Sequence, residues 1–140
     1  MTGPVILAAG GTGGHLFPAE ALAGELMARG RNVILVTDAR GDAHTASVDS
    51  PLARMERHVV RAGTVSGQSS FGRIKGLIEL FAGFWQARAL LGKLNPSVVV
   101  GFGGYPSLPT MMAATRRGTP SVLHEQNAVL GRVNRLLAPR

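Results

Sequence analysis

The chain has 140 residues, 45% of them hydrophobic and 16% charged, which indicates a single globular domain and excludes an intrinsically disordered protein. It contains no cysteine, which excludes disulfides, thiolate chemistry and Cys-based metal sites. Residues 1–20 lack the pattern of a secretory signal, and no stretch approaches about eighteen uninterrupted apolar residues, so no membrane-spanning helix is predicted. Together these features predict a cytoplasmic protein.

The net charge of +7 is unevenly distributed along the chain. Residues 1–50 hold three basic and five acidic side chains, whereas residues 51–140 hold twelve basic and three acidic ones. A basic half favours an anionic partner, and the charge alone admits nucleic acid, phospholipid and a phosphorylated metabolite. A basic surface that serves only solubility is equally compatible with these counts.

Apolar strands and helical segments alternate along the chain. Short apolar runs indicate strands, and longer periodic segments that end at glycine or before proline indicate helices. The predicted strands are Val5–Ala9, Asn32–Thr37, His58–Arg61, Ser97–Gly101 and Pro120–His124. The predicted helices are Phe17–Arg29, Pro51–Arg57, Phe71–Leu94, Leu108–Arg117 and Leu130–Leu137. No regular element is predicted for residues 38–50, and Gly63–Gly72 is predicted to be a flexible connection.

The strands consist of consecutive apolar residues, a pattern typical of a parallel sheet covered by helices on both faces. Their alternation with helices predicts an α/β fold with a Rossmann-like, doubly wound parallel sheet. Ligands of such sheets bind at the carboxyl ends of the strands. Three distinctive loops follow predicted strands, and we name them the first glycine loop (Gly10–His15), the second glycine turn (Gly103–Tyr105) and the HEQN loop (His124–Asn127). We therefore expect them to meet in one site.

The first glycine loop follows a strand and precedes a helix. Glycines allow positive φ and let main-chain N–H groups approach an anion, and the helix dipole adds positive charge at the same point. A histidine, the side-chain type that titrates near neutral pH, closes the loop and indicates proton transfer; a histidine that only lines the helix also fits the pattern. The loop comprises Gly10, Gly11, Thr12, Gly13, Gly14 and His15.

The first glycine loop does not match the dinucleotide-binding fingerprint G-x-G-x-x-G. Gly11 and Gly13 fill the first two glycine positions, but the third falls on Leu16. Asp38 has the position of a ribose-binding acid, yet an isolated acid at a strand end is more often a turn or cap residue. No Gly-Lys-Ser/Thr sequence follows the loop, so a P-loop is excluded as well. The loop thus favours an anion rather than NAD.

The other two loops add further polar groups at the same sheet edge. The second glycine turn suits a second phosphate, and its tyrosine is equally suited to covering the rim of the sheet. The HEQN loop groups four hydrogen-bonding side chains, for which a site and a purely structural turn are both open. The four histidines of the chain lie in separate elements, so no metal site is predicted. The loop residues are Gly103, Gly104 and Tyr105, and His124, Glu125, Gln126 and Asn127.

The predicted helix Phe71–Leu94 carries more apolar surface than a core-facing stripe requires. Its apolar residues cover about half of the circumference, beyond the ~100° typical of a surface helix. A fully buried helix is one explanation, and contact with an anionic membrane, with basic residues at the head groups, is the other. The candidate membrane-contact residues are Ile74, Leu77, Phe81, Phe84 and Trp85, flanked by Arg73 and Lys75.

Three segments together resemble one known family. They are AAGGTGGHLFPAEALA at 8–23, VVVGFGGYPSLP at 98–109 and VLHEQNAVLGRVNRLLA at 122–138. In order and spacing they resemble the amino-terminal domain of the MurG family of peptidoglycan glycosyltransferases, and the resemblance covers nearly the whole chain.

The resemblance implies one lobe of a GT-B glycosyltransferase, with residues 1–140 as the amino-terminal, acceptor-binding lobe and the donor lobe absent from the chain. It implies an inverting hexosyltransferase that moves N-acetylglucosamine from UDP-GlcNAc to the C4 hydroxyl of the MurNAc sugar of lipid I, which makes lipid II. The implied partners are lipid I, UDP-GlcNAc mainly through the other lobe, and an anionic membrane surface on the cytoplasmic side. No nucleic acid, metal or cofactor is implied, and this chain alone is expected to be inactive.

The resemblance also implies roles for the loops. His15 is the implied general base, with Glu125 as an alternative, and the glycines of both loops are implied ligands of the acceptor diphosphate. Tyr105 and the HEQN loop are implied to orient sugar or phosphate groups. Two other classes remain open: a non-catalytic nucleotide- or phosphate-binding Rossmann domain, which Leu16 disfavours for NAD, and a membrane- or partner-binding module, which leaves the loops unexplained.

Overall fold

The computed structural model describes residues 2–47, 49–65 and 69–139, which form a parallel sheet flanked by helices. The strands in these ranges are β1 (Val5–Ala8), β2 (Val33–Thr37), β3 (Glu56–Val59), β4 (Val98–Gly101) and β5 (Ser121–Leu123). The helices are α1 (Gly13–Ala28), α2 (Ala39–Ala46), α3 (Pro51–Arg54), α4 (Ser70–Leu94), α5 (Gly104–Arg117) and α6 (Arg132–Leu137). Within the described ranges no helix is long and apolar enough to cross a bilayer.

The strand order is β3-β2-β1-β4-β5, and every neighbouring pair is parallel. In register, Ala8 at the end of β1 lies between Val36 of β2 and Gly101 of β4. In the sheet, β2 and β3 lie on one side of β1, and β4 and β5 lie on the other. This reversal between β1 and β4 is the switch point at which doubly wound sheets bind ligands. The predicted doubly wound parallel sheet is confirmed.

The central strand β1 is buried on both faces, because its successive side chains point to opposite sides of the sheet. Ile6 and Ala8 belong to an apolar cluster with residues of α4, α5 and α6. Val5 and Leu7 belong to a second cluster with residues of α1 and α3. Burial on both faces explains why the strands are continuous apolar runs rather than alternating ones.

Two helices begin earlier than predicted, and one helix is missing from the prediction. α1 begins at Gly13 rather than Phe17, and α5 at Gly104 rather than Leu108, because a first helical turn accepts glycine and proline that disfavour a helix interior. α2 forms in the segment predicted to lack regular structure, since Asp38 caps it by accepting a hydrogen bond from the Gly41 N–H at 2.9 Å.

The other boundaries differ by a few residues. α3 ends at Arg54 and β3 begins at Glu56, whereas the sequence predicts this change between Arg57 and His58. The remaining element ends lie within two residues of the prediction, the ordinary range of disagreement. Of the predicted flexible connection, residues 70–72 form the first turn of α4, and residues 66–68 lie outside the described residues.

Candidate functional site

The first glycine loop and the second glycine turn lie side by side, because they follow the paired strands β1 and β4. Each leads directly into a helix, with Thr12 as the N-cap of α1 and Gly103 as the N-cap of α5. The first glycine loop lies against the first turn of α5, since a Cβ added at Gly10 would lie 2.9 Å from the Cβ of Pro106. Two helix N-termini therefore meet at the switch point of the sheet.

Three glycines in these loops adopt backbone conformations that L side chains rarely occupy. The φ angles are +77° at Gly11, +82° at Gly103 and +73° at Gly104. The N–H groups of a first helical turn have no acceptor inside the helix, and the helix dipole places partial positive charge at the same end. The paired loops therefore form a site suited to an anion with more than one charged group.

Asp38 holds the first glycine loop in place. Its Oδ1 accepts hydrogen bonds from the N–H groups of Gly11 at 3.0 Å and Gly41 at 2.9 Å, and the residue is buried. The prediction that this acid is a turn or cap residue is confirmed, because the same carboxylate is the N-cap of α2. Sequence reasoning missed its second role, the bond to Gly11 across 27 positions of the chain.

His15 connects the two loops. Its Nδ1 lies 2.9 Å from the carbonyl oxygen of Phe102 at the end of β4. A carbonyl only accepts, so Nδ1 carries the hydrogen and the Nε2 of the neutral ring keeps its lone pair. The side-chain Nε2 of Gln126 also lies 2.9 Å from Nδ1. Because Nδ1 is a donor, Gln126 can accept a hydrogen bond from it only with its amide group turned so that the oxygen faces the ring.

The Nε2 atom of His15 faces the backbone of the second glycine turn. A Cβ added at Gly104 would lie 2.9 Å from this nitrogen. The missing side chain thus leaves space beside the basic nitrogen, next to the N-termini of both helices. His15 thus lies beside the two helix N-termini with which the sequence predicts it to share a site.

Glu125 is surrounded by hydrogen-bond donors. Its carboxylate accepts from the backbone N–H groups of Gly131 at 2.8 Å and Asn127 at 3.0 Å, and from the side-chain amides of Asn127 at 2.8 Å and Asn134 at 3.0 Å. These bonds, the Gly131 one first, lower the pKa of Glu125 from 4.5 to about 2. The stabilisation they give is therefore present above about pH 4.5 and is lost as the pH falls towards 2.

The buried side chain of Asn134 holds the HEQN loop in place, a role that was not predicted from the sequence. It is 1% exposed, and its Nδ2 donates to the His124 carbonyl at 2.9 Å as well as to Glu125. Its only sequence signal is a polar residue inside the apolar pattern of the last helix. The ring of His124 packs on Phe102 with centroids 5.3 Å apart, and its Nδ1 is buried without a hydrogen-bond partner among the described residues.

The other members of the predicted site differ in their surroundings. Gln126 and Asn127 are exposed, whereas Tyr105 is half-buried and packs against the apolar cluster beneath α4 and α5. Among the residues that the structure describes, no three His, Asp or Glu side chains are grouped closely enough to hold a metal ion.

The candidate membrane-contact residues lie on α4, apart from the loops. The helix buries Gly76, Gly83, Ala87 and Leu91 against the domain and exposes a separate apolar stripe. Phe84 belongs to the inward side, since it is half-buried and packs against the core. The exposed stripe comprises Ile74, Leu77, Ile78, Phe81 and Trp85, each more than 50% exposed, and Arg73 and Lys75 beside it are also exposed.

The sequence profile of the glycosyltransferase family 28 N-terminal domain matches residues 5–140. The chain belongs to this family. The family 28 domain resembles UDP-N-acetylglucosamine–N-acetylmuramyl-(pentapeptide) pyrophosphoryl-undecaprenol N-acetylglucosamine transferases. It is 55% identical to that of Rhodospirillum rubrum over 97% of this chain and 34% of the relative, and 49% identical to that of Caulobacter vibrioides over 100% and 38%. The chain thus spans about a third of the length of these curated relatives.

Solved structures agree with this assignment. The family 28 domain superposes on the crystal structure of Acinetobacter baumannii MurG with a TM-score of 0.79 and 29% identity, over 96% of this chain and 38% of that one. It superposes on the kitacinnamycin glycosyltransferase with a TM-score of 0.67 and 21% identity, over 98% and 34%, which shows the shared fold alone. The predicted GT-B lobe and the family resemblance are confirmed.

Proposed function

We propose that this family 28 domain is the acceptor-binding lobe of a transferase that moves N-acetylglucosamine from UDP-GlcNAc to the C4 hydroxyl of the MurNAc sugar of lipid I. The observation that carries the proposal is that two glycine-rich helix N-termini meet beside the Nε2 of His15. Relatives at 55% and 49% identity bear the name of this reaction, and the acceptor in that name carries a pyrophosphoryl group. UDP-GlcNAc would bind mainly to residues outside this chain.

The two glycine loops would hold the acceptor diphosphate. The N–H groups at the start of α1 and α5 supply donors for two phosphates, and the helix dipoles supply positive charge. Glycines at these positions keep side chains away from the phosphate oxygens. Tyr105 of the second glycine turn and Gln126 and Asn127 of the HEQN loop would orient the attached sugar.

His15 would be the general base of an inverting displacement. Its Nε2 takes the proton of the C4 hydroxyl as that oxygen forms a bond to the anomeric carbon of N-acetylglucosamine and UDP leaves with the electron pair of the broken bond. The Phe102 carbonyl fixes the tautomer that this role requires. Glu125 is the weaker candidate, because four donated hydrogen bonds stabilise its charged form and lower its pKa to about 2. We therefore assign Glu125 a structural role, in which its hydrogen bonds hold the HEQN loop in place.

Titration with a water-soluble, short-chain analogue of the acceptor tests this assignment. We expect amide NMR shifts to cluster in the first glycine loop, the second glycine turn and the HEQN loop. UDP-GlcNAc should leave the two glycine loops largely unshifted, because its binding residues lie mainly elsewhere. Shifts of the first glycine loop with UDP-GlcNAc or NADH, and none with the acceptor analogue, would contradict the proposal and favour a nucleotide-binding domain.

The exposed stripe of α4 would bind the anionic membrane surface in which the acceptor is embedded, on the cytoplasmic side. Large apolar side chains on one helix face, with Arg73 and Lys75 beside them, fit an interfacial helix. The net charge of +7 adds attraction to anionic head groups.

Trp85 is the only tryptophan of the chain, so its fluorescence reports directly on this surface. We expect a blue shift with anionic vesicles that weakens at high salt, and little change with neutral vesicles. Phe81→Ser should weaken vesicle binding roughly tenfold or more, because an inserted aromatic side chain is withdrawn from water. Phe17→Ser is the matched control, since Phe17 on α1 is 64% exposed and Phe81 66%. Equal losses in both variants, or no vesicle binding in either salt, would contradict the membrane contact.

A further inference from the structure

An apolar hollow of about 340 Å³ lies between α4 and α5, beside the exposed stripe. Pockets that hold small ligands typically enclose ~300–1,000 Å³, so the hollow is large enough for part of a ligand. Its lining includes Leu77, Phe81 and Phe84 from α4 and Leu108, Met112 and Arg116 from α5. The function proposed above does not use it.

The hollow begins next to the proposed diphosphate site. α5 starts at Gly104 in the second glycine turn, and Leu108 lies one helical turn further on, about 6 Å along the axis. Tyr105, Leu108 and Met112 have the i, i+3, i+7 spacing of a single helix face. The same face of α5 therefore leads from the second glycine turn to the hollow.

The chemistry of the hollow selects for hydrocarbon. Its lining contains one charged side chain, Arg116, whose guanidinium carbon lies 6.0 Å from the ring centroid of Phe84 in a cation–π contact. The remaining lining side chains are aliphatic, thioether or aromatic, and they lack a hydrogen-bond donor or acceptor suited to a sugar or a peptide. A flexible methionine adapts well to a branched apolar chain.

We propose that this hollow binds the isoprene units next to the diphosphate of the acceptor. The proposal rests on the function proposed above, and the acceptor named for the relatives carries such a chain, an undecaprenol. Leu77 and Phe81 border both the hollow and the exposed stripe, so the chain passes from the bilayer over these two residues to Met112 and on to the second glycine turn. The stripe then contacts the membrane, and the hollow holds the acceptor's own lipid.

Calorimetric titration with inorganic diphosphate, geranyl diphosphate, farnesyl diphosphate and farnesol tests this assignment. We expect the Kd to fall roughly tenfold with each added isoprene unit, because each buries further hydrocarbon in the hollow. Met112→Trp fills the hollow and should abolish this dependence on chain length, while the Kd for inorganic diphosphate stays unchanged. Met27→Trp is the matched control, because it makes the same change at an exposed methionine of α1 outside the hollow, and it should keep the dependence.

The outcomes separate this proposal from the acceptor site itself. A chain-length dependence that survives Met112→Trp, or that is lost in Met27→Trp, would overturn the hollow as the binding site. Farnesol binding that Met112→Trp abolishes, with no binding of inorganic diphosphate, would support the hollow and contradict the diphosphate site. If Met112→Trp does not fold, the Met112 methyl resonance decides. It should shift with farnesyl diphosphate and not with inorganic diphosphate, and an unshifted methyl would overturn the proposal.

Discussion

Replacing His15 by asparagine is expected to lower kcat by about 10²–10⁴-fold, the usual contribution of a general base. The side-chain amide of asparagine can replace Nδ1–H as the donor to the Phe102 carbonyl, so the link between the two loops is retained while the basic Nε2 is removed. Acceptor affinity should therefore change little. The test is steady-state kinetics with a full-length transferase of this family whose N-terminal domain is the one described here.

The pH profile distinguishes His15 from Glu125 as the base. If Glu125 were the base, the acid limb of kcat/KM would lie near pH 2, since its carboxyl has a pKa of about 2. An acid limb well above that pH would exclude Glu125 as the base. The His15→Asn variant should lose this limb. Undiminished turnover of His15→Asn, or an unchanged acid limb, would refute the assignment.

Replacing Gly104 by alanine is expected to remove most of the activity, because the added methyl group would disturb His15, the proposed base. The added methyl would lie 2.9 Å from Nε2 of His15, so the ring either rotates away and loses the Phe102 carbonyl or stays with its lone pair blocked. The variant also has to adopt a φ of +73°, which lowers the free energy of unfolding by about 1–2 kcal/mol. We expect kcat to fall by about 10²-fold or more.

Gly118→Ala provides a control on the same helix. Gly118 ends α5 with a φ of +70°, and an added Cβ there meets nothing within 4 Å. Denaturant unfolding should show similar destabilisation of both alanine variants, whereas only Gly104→Ala should lose activity. In the His15→Asn background, Gly104→Ala should add little further loss, because both changes remove one function. Equal activity of the two alanine variants, or fully additive losses, would contradict a block at His15.

The sequence predicts the parts of this domain that depend on neighbouring residues. Apolar runs specify the strands, and glycines at the strand ends specify loops with positive φ, as found at Gly11 and Gly103. The position of the site also follows, because the carboxyl ends of parallel strands lie at one edge of the sheet.

The parts that depend on distant contacts are not predictable in this way. Asp38 and Gly11 are 27 positions apart, and Asn134 reaches His124 and Glu125 from a different helix. Which apolar side chains of α4 face the core is decided by its packing against α5, where Phe84 is half-buried and Phe81 stays exposed. The helical period gives the two faces and does not say which of them is covered.

The pairing of Ala8 with Gly101 has a consequence for how such lobes change their ligands. The N-termini of α1 and α5 follow adjacent strands, and adjacent strands lie about 4.8 Å apart. Backbone hydrogen bonds set this spacing. Side-chain substitutions can therefore change the surroundings of the two helix N-termini without moving these N-termini apart. Related lobes are therefore expected to differ in the sugar and the hydrocarbon that they bind on either side. The distance between the two negative charges of the group bound at the helix N-termini should stay constant.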